Sequence, residues 1–122
     1  QADVVILIAP ITGETRGMVD RGVLSRMKDD ALLVNVARGP VVDTAALVEA
    51  LHTGRIHAAL DVTDPEPLPA GHPLWSAPNL LISPHVGGAS SAMWPRAYRL
   101  VREQLERFAD GQQLANVMTG DY

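Results

Sequence analysis

Four short aliphatic runs that do not alternate with polar residues constrain this chain more than any other feature. They are Val4-Val5-Ile6-Leu7-Ile8, Ala31-Leu32-Leu33-Val34-Asn35-Val36, Ile56 to Val62, and Leu80-Leu81-Ile82. A strand with one wet face alternates apolar and polar side chains, whereas an unbroken branched run of strand length reads as a strand covered on both faces, as in a parallel sheet. Helical spacing fills the gaps between the runs. Met18, Val19, Val23, Leu24 and Met27 recur mostly at three or four residues, with Thr15 as the expected cap. Ala46, Leu47, Ala50 and Leu51 line one helix face, with Asp43 at the N-cap and Gly54 closing it. From Thr63 to Pro78 the prolines at 65, 67, 69, 73 and 78 forbid regular helix and imply a stiff, ordered excursion. Beyond Gly87-Gly88, the residues Trp94, Ala97, Tyr98, Val101, Leu105 and Phe108 repeat along a helix with Pro95 in its first turn and an end near Gly111. The aromatic residues of this last helix are expected in a core.

Strand, helix, strand, helix, strand, loop, strand, helix is the order of an α/β fold with right-handed parallel crossovers, here a partial doubly wound parallel sheet. The first strand reads as a buried, central one, yet it starts at residue 4. The sheet therefore looks as if it begins midway, and the chain reads as the second half of something larger. With 122 residues, there is room for one ordinary domain and not for a cofactor domain plus a substrate domain. An interior built from 47% apolar but only 4% aromatic residues must be aliphatic, which suits such a sheet.

Charge and cysteine usage exclude several functions. Ten Lys and Arg against 14 Asp and Glu leave a net charge of −4, and the basic residues are dispersed, so neither nucleic acid nor an anionic membrane is an expected partner. There is no cysteine, hence no disulfide framework and no thiolate metal site, and the chain fits a reducing cytoplasm. The longest apolar run, Val4 to Ile11, is far short of the roughly 20 residues that span a bilayer. No signal segment is apparent. His52, His57 and His72 lack metal-ligand spacing with one another or with His85, so they are expected to be structural or surface residues and no metal site is expected.

Doubly wound sheets bind ligands at the carboxyl ends of their strands. The residues just past each run are therefore the candidates: Ala9-Pro10; Val36-Ala37-Arg38-Gly39; Asp61, with Glu66 five residues on; and His85-Val86-Gly87-Gly88. One guanidinium, two carboxylates and one imidazole are thus expected on one edge of the sheet. Each has a plainer reading. Arg38 before Gly39-Pro40 also suits an exposed turn, although its planar fork matches a carboxylate. Asp61 suits a loop cap as well as an acceptor for a ligand amide. Glu66 between two prolines is either a solvated carboxylate or an oriented one. His85 is either structural or a general acid/base, and the glycines after it would let backbone approach a flat ligand closely.

Taken together and in order, Asn35-Val36-Ala37-Arg38-Gly39, Asp61-Val62-Thr63-Asp64-Pro65-Glu66-Pro67, His72-Pro73-Leu74-Trp75 and Ser83-Pro84-His85-Val86-Gly87-Gly88 resemble the signatures of the D-isomer-specific 2-hydroxyacid dehydrogenases. The resemblance runs from Ala2-Asp3-Val4-Val5 to Asn116-Val117-Met118-Thr119-Gly120. It implies a Rossmann-like domain, NAD as cofactor, a small 2-oxoacid or 2-hydroxyacid as substrate, a cytoplasmic location and a homodimer. It also implies roles: Arg38 binding the carboxylate and carbonyl of the oxoacid, His85 giving a proton to the carbonyl oxygen as hydride arrives, and Glu66 hydrogen-bonding His85. Asp61 would hold the nicotinamide carboxamide, while Ala9, Val36, Gly87 and Gly88 would lie along the cofactor. Formate dehydrogenases of the family carry Gln where this chain has Glu66, so the resemblance favours a hydroxyacid.

One departure qualifies these implications. No G-x-G-x-x-G occurs in the 122 residues, nor the later acidic or basic residue that selects NAD or NADP, which leaves that choice open. Residues 1–88 then read as the latter half of a dinucleotide-binding domain and 89–122 as a C-terminal helix and tail, with the substrate domain and glycine-rich motif absent from this chain. By itself such a segment is expected to be inactive. Two rival expectations are a dinucleotide-sensing module without turnover, like the family's transcriptional corepressors, and a dimerising half-domain whose first strand offers an open edge.

Overall fold

The structure, a computed structural model, describes residues 2–119. Gly120, the last residue of the closing motif, lies outside them. Each aliphatic run forms a strand at its centre: β1 (Val4–Leu7), β2 (Leu32–Asn35), β3 (His57–Leu60) and β4 (Leu80–Ile82). All pair in parallel in the order β1-β2-β3-β4. The register aligns Leu7 with Asn35, Asn35 with Leu60, and Leu60 with Ile82. The four carboxyl ends consequently finish level, and whatever follows them emerges along one edge.

Two helices make the crossovers, α1 (Arg21–Ser25) and α2 (Thr44–His52), and they pack on each other. Crossovers of one hand put both helices on one face of the sheet. That face holds the core: Leu33 of β2 and Leu60 of β3 are buried together with Leu24, Leu47, Leu51 and Ile56. Asp43 caps α2 as expected, its carboxylate accepting from the Ala46 N–H at 3.0 Å, and Gly54 just past the helix has φ +71°. Only glycine adopts that conformation without strain.

Two expectations fail here. The first helix does not grow from Thr15. Thr15 and Thr12 hydrogen-bond each other in a turn, Val19 instead makes an isolated bridge to Val42, and the cap is Asp20, whose carboxylate accepts from the Val23 N–H at 2.8 Å. A side-chain cap competes with helix locally, and two threonines three residues apart satisfied each other first. Nor is β1 covered on both faces. It is an edge strand of the described sheet, with Val4 48% and Ile6 58% exposed, and Leu81 of β4 is open as well. These side chains lie on the face that α1 and α2 do not cover.

The prolines hold an ordered path between β3 and β4. A single 3-10 turn, Pro73–Ser76, interrupts it, capped by His72, whose Nδ1 accepts from the Leu74 N–H. The Trp75 Nε1–H donates to the Pro69 carbonyl at 2.9 Å, and the Thr44 hydroxyl of α2 donates to the Asp64 carbonyl at 3.0 Å.

The chain divides into two compact units between Val86 and Gly87. The second contains α3 (Met93–Ala109). Its apolar stripe forms as the spacing requires, and the Trp94 and Tyr98 rings stack with centroids 5.9 Å apart. Trp94, Tyr98 and Phe108 are nevertheless 61%, 68% and 75% exposed, so they are not core. Amphipathic spacing shows which face of a helix is apolar and says nothing of whether this chain supplies a partner for it.

Candidate active site

Burial locates the polar chemistry. Among the described residues, Asn35, Asp61 and Thr63 are polar and buried, and all three lie at or just past the carboxyl ends of β2 and β3. An apolar core tolerates such groups only when they are hydrogen-bonded, so each has a structural task.

Asn35 shapes the loop that carries Arg38. Its Oδ1 accepts from the Ala37 N–H and its Nδ2 donates to the Arg38 carbonyl, both at 3.0 Å. Gly39 then lets this loop lie directly against the one that follows β3. A Cβ at that position would sit 1.9 Å from the Thr63 carbonyl oxygen, so no other residue fits without moving backbone. The exposed Arg38 guanidinium donates to the Ala37 carbonyl at 2.7 Å.

Asp61 ends β3 and joins it to the end of β4. Its Oδ1 accepts from the Ser83 hydroxyl at 2.6 Å and from the Val86 N–H at 2.9 Å. Between these two donors stands His85, whose Nδ1 lies 2.6 Å from Glu66 Oε1. A contact that short is a charge-assisted hydrogen bond when the Nδ1–H donates to the carboxylate. Both side chains are about half open, at 47% for His85 and 41% for Glu66. With Nδ1 engaged, Nε2 is the ring atom that can face a ligand.

The structure thus brings His85 and Glu66 into contact and ties Asp61 to the Ser83 hydroxyl before His85 and to the Val86 N–H after it. Arg38 emerges from the neighbouring strand on the same edge, engaged with its own loop and not with the His-Glu pair. Ala9 and Val36 follow β1 and β2, half-buried and 47% exposed respectively. Gly87 and Gly88 open the second unit, and a Cβ on Gly88 would meet nothing within 4 Å. Sequence reasoning passed over Asn35 and Ser83 as site-shaping residues. The signal for Asn35 was present, since it is the polar residue inside the run from Ala31 to Val36. Ser83 offered no comparable signal. The other histidines serve local structure: His52 Nδ1 lies 2.8 Å from the Val48 carbonyl oxygen, and His57 faces Asp30 at 3.9 Å.

Fold and edge define an α/β domain of the parallel, doubly wound class, with a His85–Glu66 contact where such sheets take their ligands. Residues 1–87 match the D-isomer specific 2-hydroxyacid dehydrogenase NAD binding domain, and the chain belongs to that family. It is 48% identical over 91 residues to glyoxylate/hydroxypyruvate reductase B of Serratia proteamaculans, covering 74% of this chain and 28% of that protein. A D-isomer specific 2-hydroxyacid dehydrogenase from Xanthobacter autotrophicus Py2, solved with NADPH and MES, superposes with a TM-score of 0.84 at 41% identity, over 97% of this chain and 48% of that one. D-lactate dehydrogenase with NAD+ from Lactobacillus jensenii gives 0.86 at 30% identity, over 98% and 40%. The chain therefore spans less than half the length of these proteins.

The edge fits a nicotinamide on its own chemistry. Ile8 and Val36 are open apolar side chains at the ends of β1 and β2, at 79% and 47% exposure, and they offer an apolar surface to a flat ring. The buried Asp61 at the end of the next strand is the kind of acceptor that a ligand amide would use on that edge. Among the described residues no group of three His, Asp or Glu side chains could hold a metal ion, and no helix is long and apolar enough to cross a membrane.

Proposed function

We propose that the protein carrying this chain is a nicotinamide-dependent oxidoreductase that interconverts a small 2-oxoacid and its D-2-hydroxyacid. The observation that carries this reading is the 2.6 Å contact between His85 Nδ1 and Glu66 at the carboxyl edge of the sheet. An imidazole that holds a carboxylate through one nitrogen presents the other as a proton donor.

The cofactor supplies the hydride, and it would lie along Ala9, Val36, Gly87 and Gly88 with its carboxamide toward Asp61. Arg38 grips the substrate carboxylate through two parallel N–H donors, which fixes the oxoacid in one orientation. His85 Nε2 gives its proton to the carbonyl oxygen, where negative charge develops. Glu66 holds the ring through its Nδ1, so that Nε2 is the nitrogen turned toward the substrate carbonyl. In the reverse direction His85 takes the hydroxyl proton. The 48% identity to a glyoxylate/hydroxypyruvate reductase supports short polar oxoacids of that kind as substrates. The same reading takes the protein to be a cytoplasmic homodimer, its dimerisation to be checked by light scattering of the complete protein. A panel of 2-oxoacids assayed with NADH and NADPH tests the function. Turnover of glyoxylate or hydroxypyruvate is expected, and no turnover of any 2-oxoacid with either cofactor would reject it.

A further inference from the structure

We infer that Ser83 is a positioning residue: its hydroxyl, through Asp61, holds His85 in the backbone conformation that aims the ring. This rests on the dehydrogenase reading above, and it adds to it a residue that touches neither substrate nor cofactor. His85 has φ +56°, in the left-handed region that non-glycine residues seldom occupy. Such a conformation costs free energy and persists only where surrounding contacts over-determine it. The His85 N–H donates to the Ser83 carbonyl at 3.0 Å, closing a tight turn. Asp61 Oδ1 then accepts from the residue two before His85, through the Ser83 hydroxyl at 2.6 Å, and from the residue just after it, through the Val86 N–H at 2.9 Å.

One carboxylate oxygen just past β3 therefore holds both flanks of the histidine, and Glu66 holds its ring from a third direction. Ser83 is aligned for this by the ladder, since its N–H continues the β3–β4 pairing by donating to the Leu60 carbonyl at 2.8 Å. Removing the hydroxyl takes away the contact of Asp61 Oδ1 on the residue two before the left-handed histidine and keeps its contact with the Val86 N–H just after it. Threonine keeps the hydroxyl; alanine does not.

The test uses the complete protein that carries this chain. Ser83→Ala is expected to lose between about tenfold and a hundredfold in kcat for oxoacid reduction, because small misplacements of an acid group cost that much. KM for the cofactor should stay within about twofold, and Ser83→Thr should restore kcat. Without cofactor, amide hydrogen exchange at Val86 is expected to quicken roughly tenfold in Ser83→Ala and to return to the wild-type rate in Ser83→Thr. Wild-type kcat together with unchanged exchange at Val86 in Ser83→Ala overturns the inference. So does a kcat loss that comes with a matching loss of thermal stability and is not rescued by threonine. If the wild-type protein turns over no oxoacid, the dehydrogenase reading fails separately, and exchange at Val86 still decides whether Ser83 holds the turn.

Discussion

At the scale of single residues, the site is a set of side chains held by backbone. Arg38 illustrates this: its own side chain is exposed, while its loop is fixed from below by Asn35 and from the side by Gly39. Arg38→Lys exchanges a two-pronged fork for a point charge and should raise KM for the oxoacid between tenfold and a hundredfold, the loss of about 1.5–3 kcal/mol expected for a hydrogen bond to a charged group, with cofactor KM unchanged. Gly39→Ala forces a methyl against the Thr63 carbonyl. It should cost about 1–3 kcal/mol of stability and raise the oxoacid KM as well, read by thermal unfolding and steady-state kinetics. Arg38 stood out in the sequence, because residue type and position after a strand are local facts, whereas Gly39 was read only as part of the turn that follows it. What the sequence did not offer was the partner of each group. That Asp61 engages Ser83 and Val86 depends on two strands 22 residues apart lying side by side, a tertiary fact with no local signature.

At the scale of elements, aliphatic runs gave the strands and the proline density gave the ordered loop, because both follow from backbone chemistry. The misreadings of β1 and of α3 share one cause. Runs in β1 and the stripe on α3 show which side chains prefer to be buried, and burial needs a second surface that a run of letters does not contain. The helix pair on the covered face yields a test of its own. The Arg21 guanidinium of α1, hydrogen-bonding Glu49 of α2, holds that carboxyl below its usual range. A carboxyl depressed in the folded state stabilises at pH values above its unfolded pKa and loses that contribution as pH falls through the folded one. Glu49→Gln should therefore be slightly less stable than wild type from about pH 5 upward, and the two should converge in acid. Both partners are exposed, so added salt should shrink the difference. Chemical denaturation across pH checks this; a difference that grew toward low pH would contradict it.

At the scale of the whole molecule, the parallel sheet levels four strand ends and so sets a guanidinium, a carboxylate and a His-Glu pair along one edge. Residues 1–122 contain that edge but no glycine-rich phosphate cradle, so residues 1–122 alone are expected to show no measurable turnover of 2-oxoacids, and turnover is expected only of a protein that also supplies that cradle. The family was readable from four ordered motifs; the choice between NAD and NADP was not, because no selecting residue occurs in these residues. The central claim is that His85 is the proton donor. It is tested most directly by measuring kcat and cofactor affinity of His85→Gln in the complete protein. A fall in kcat of about 10²–10⁴ with cofactor Kd essentially unchanged is predicted. Near-normal turnover by His85→Gln would contradict it.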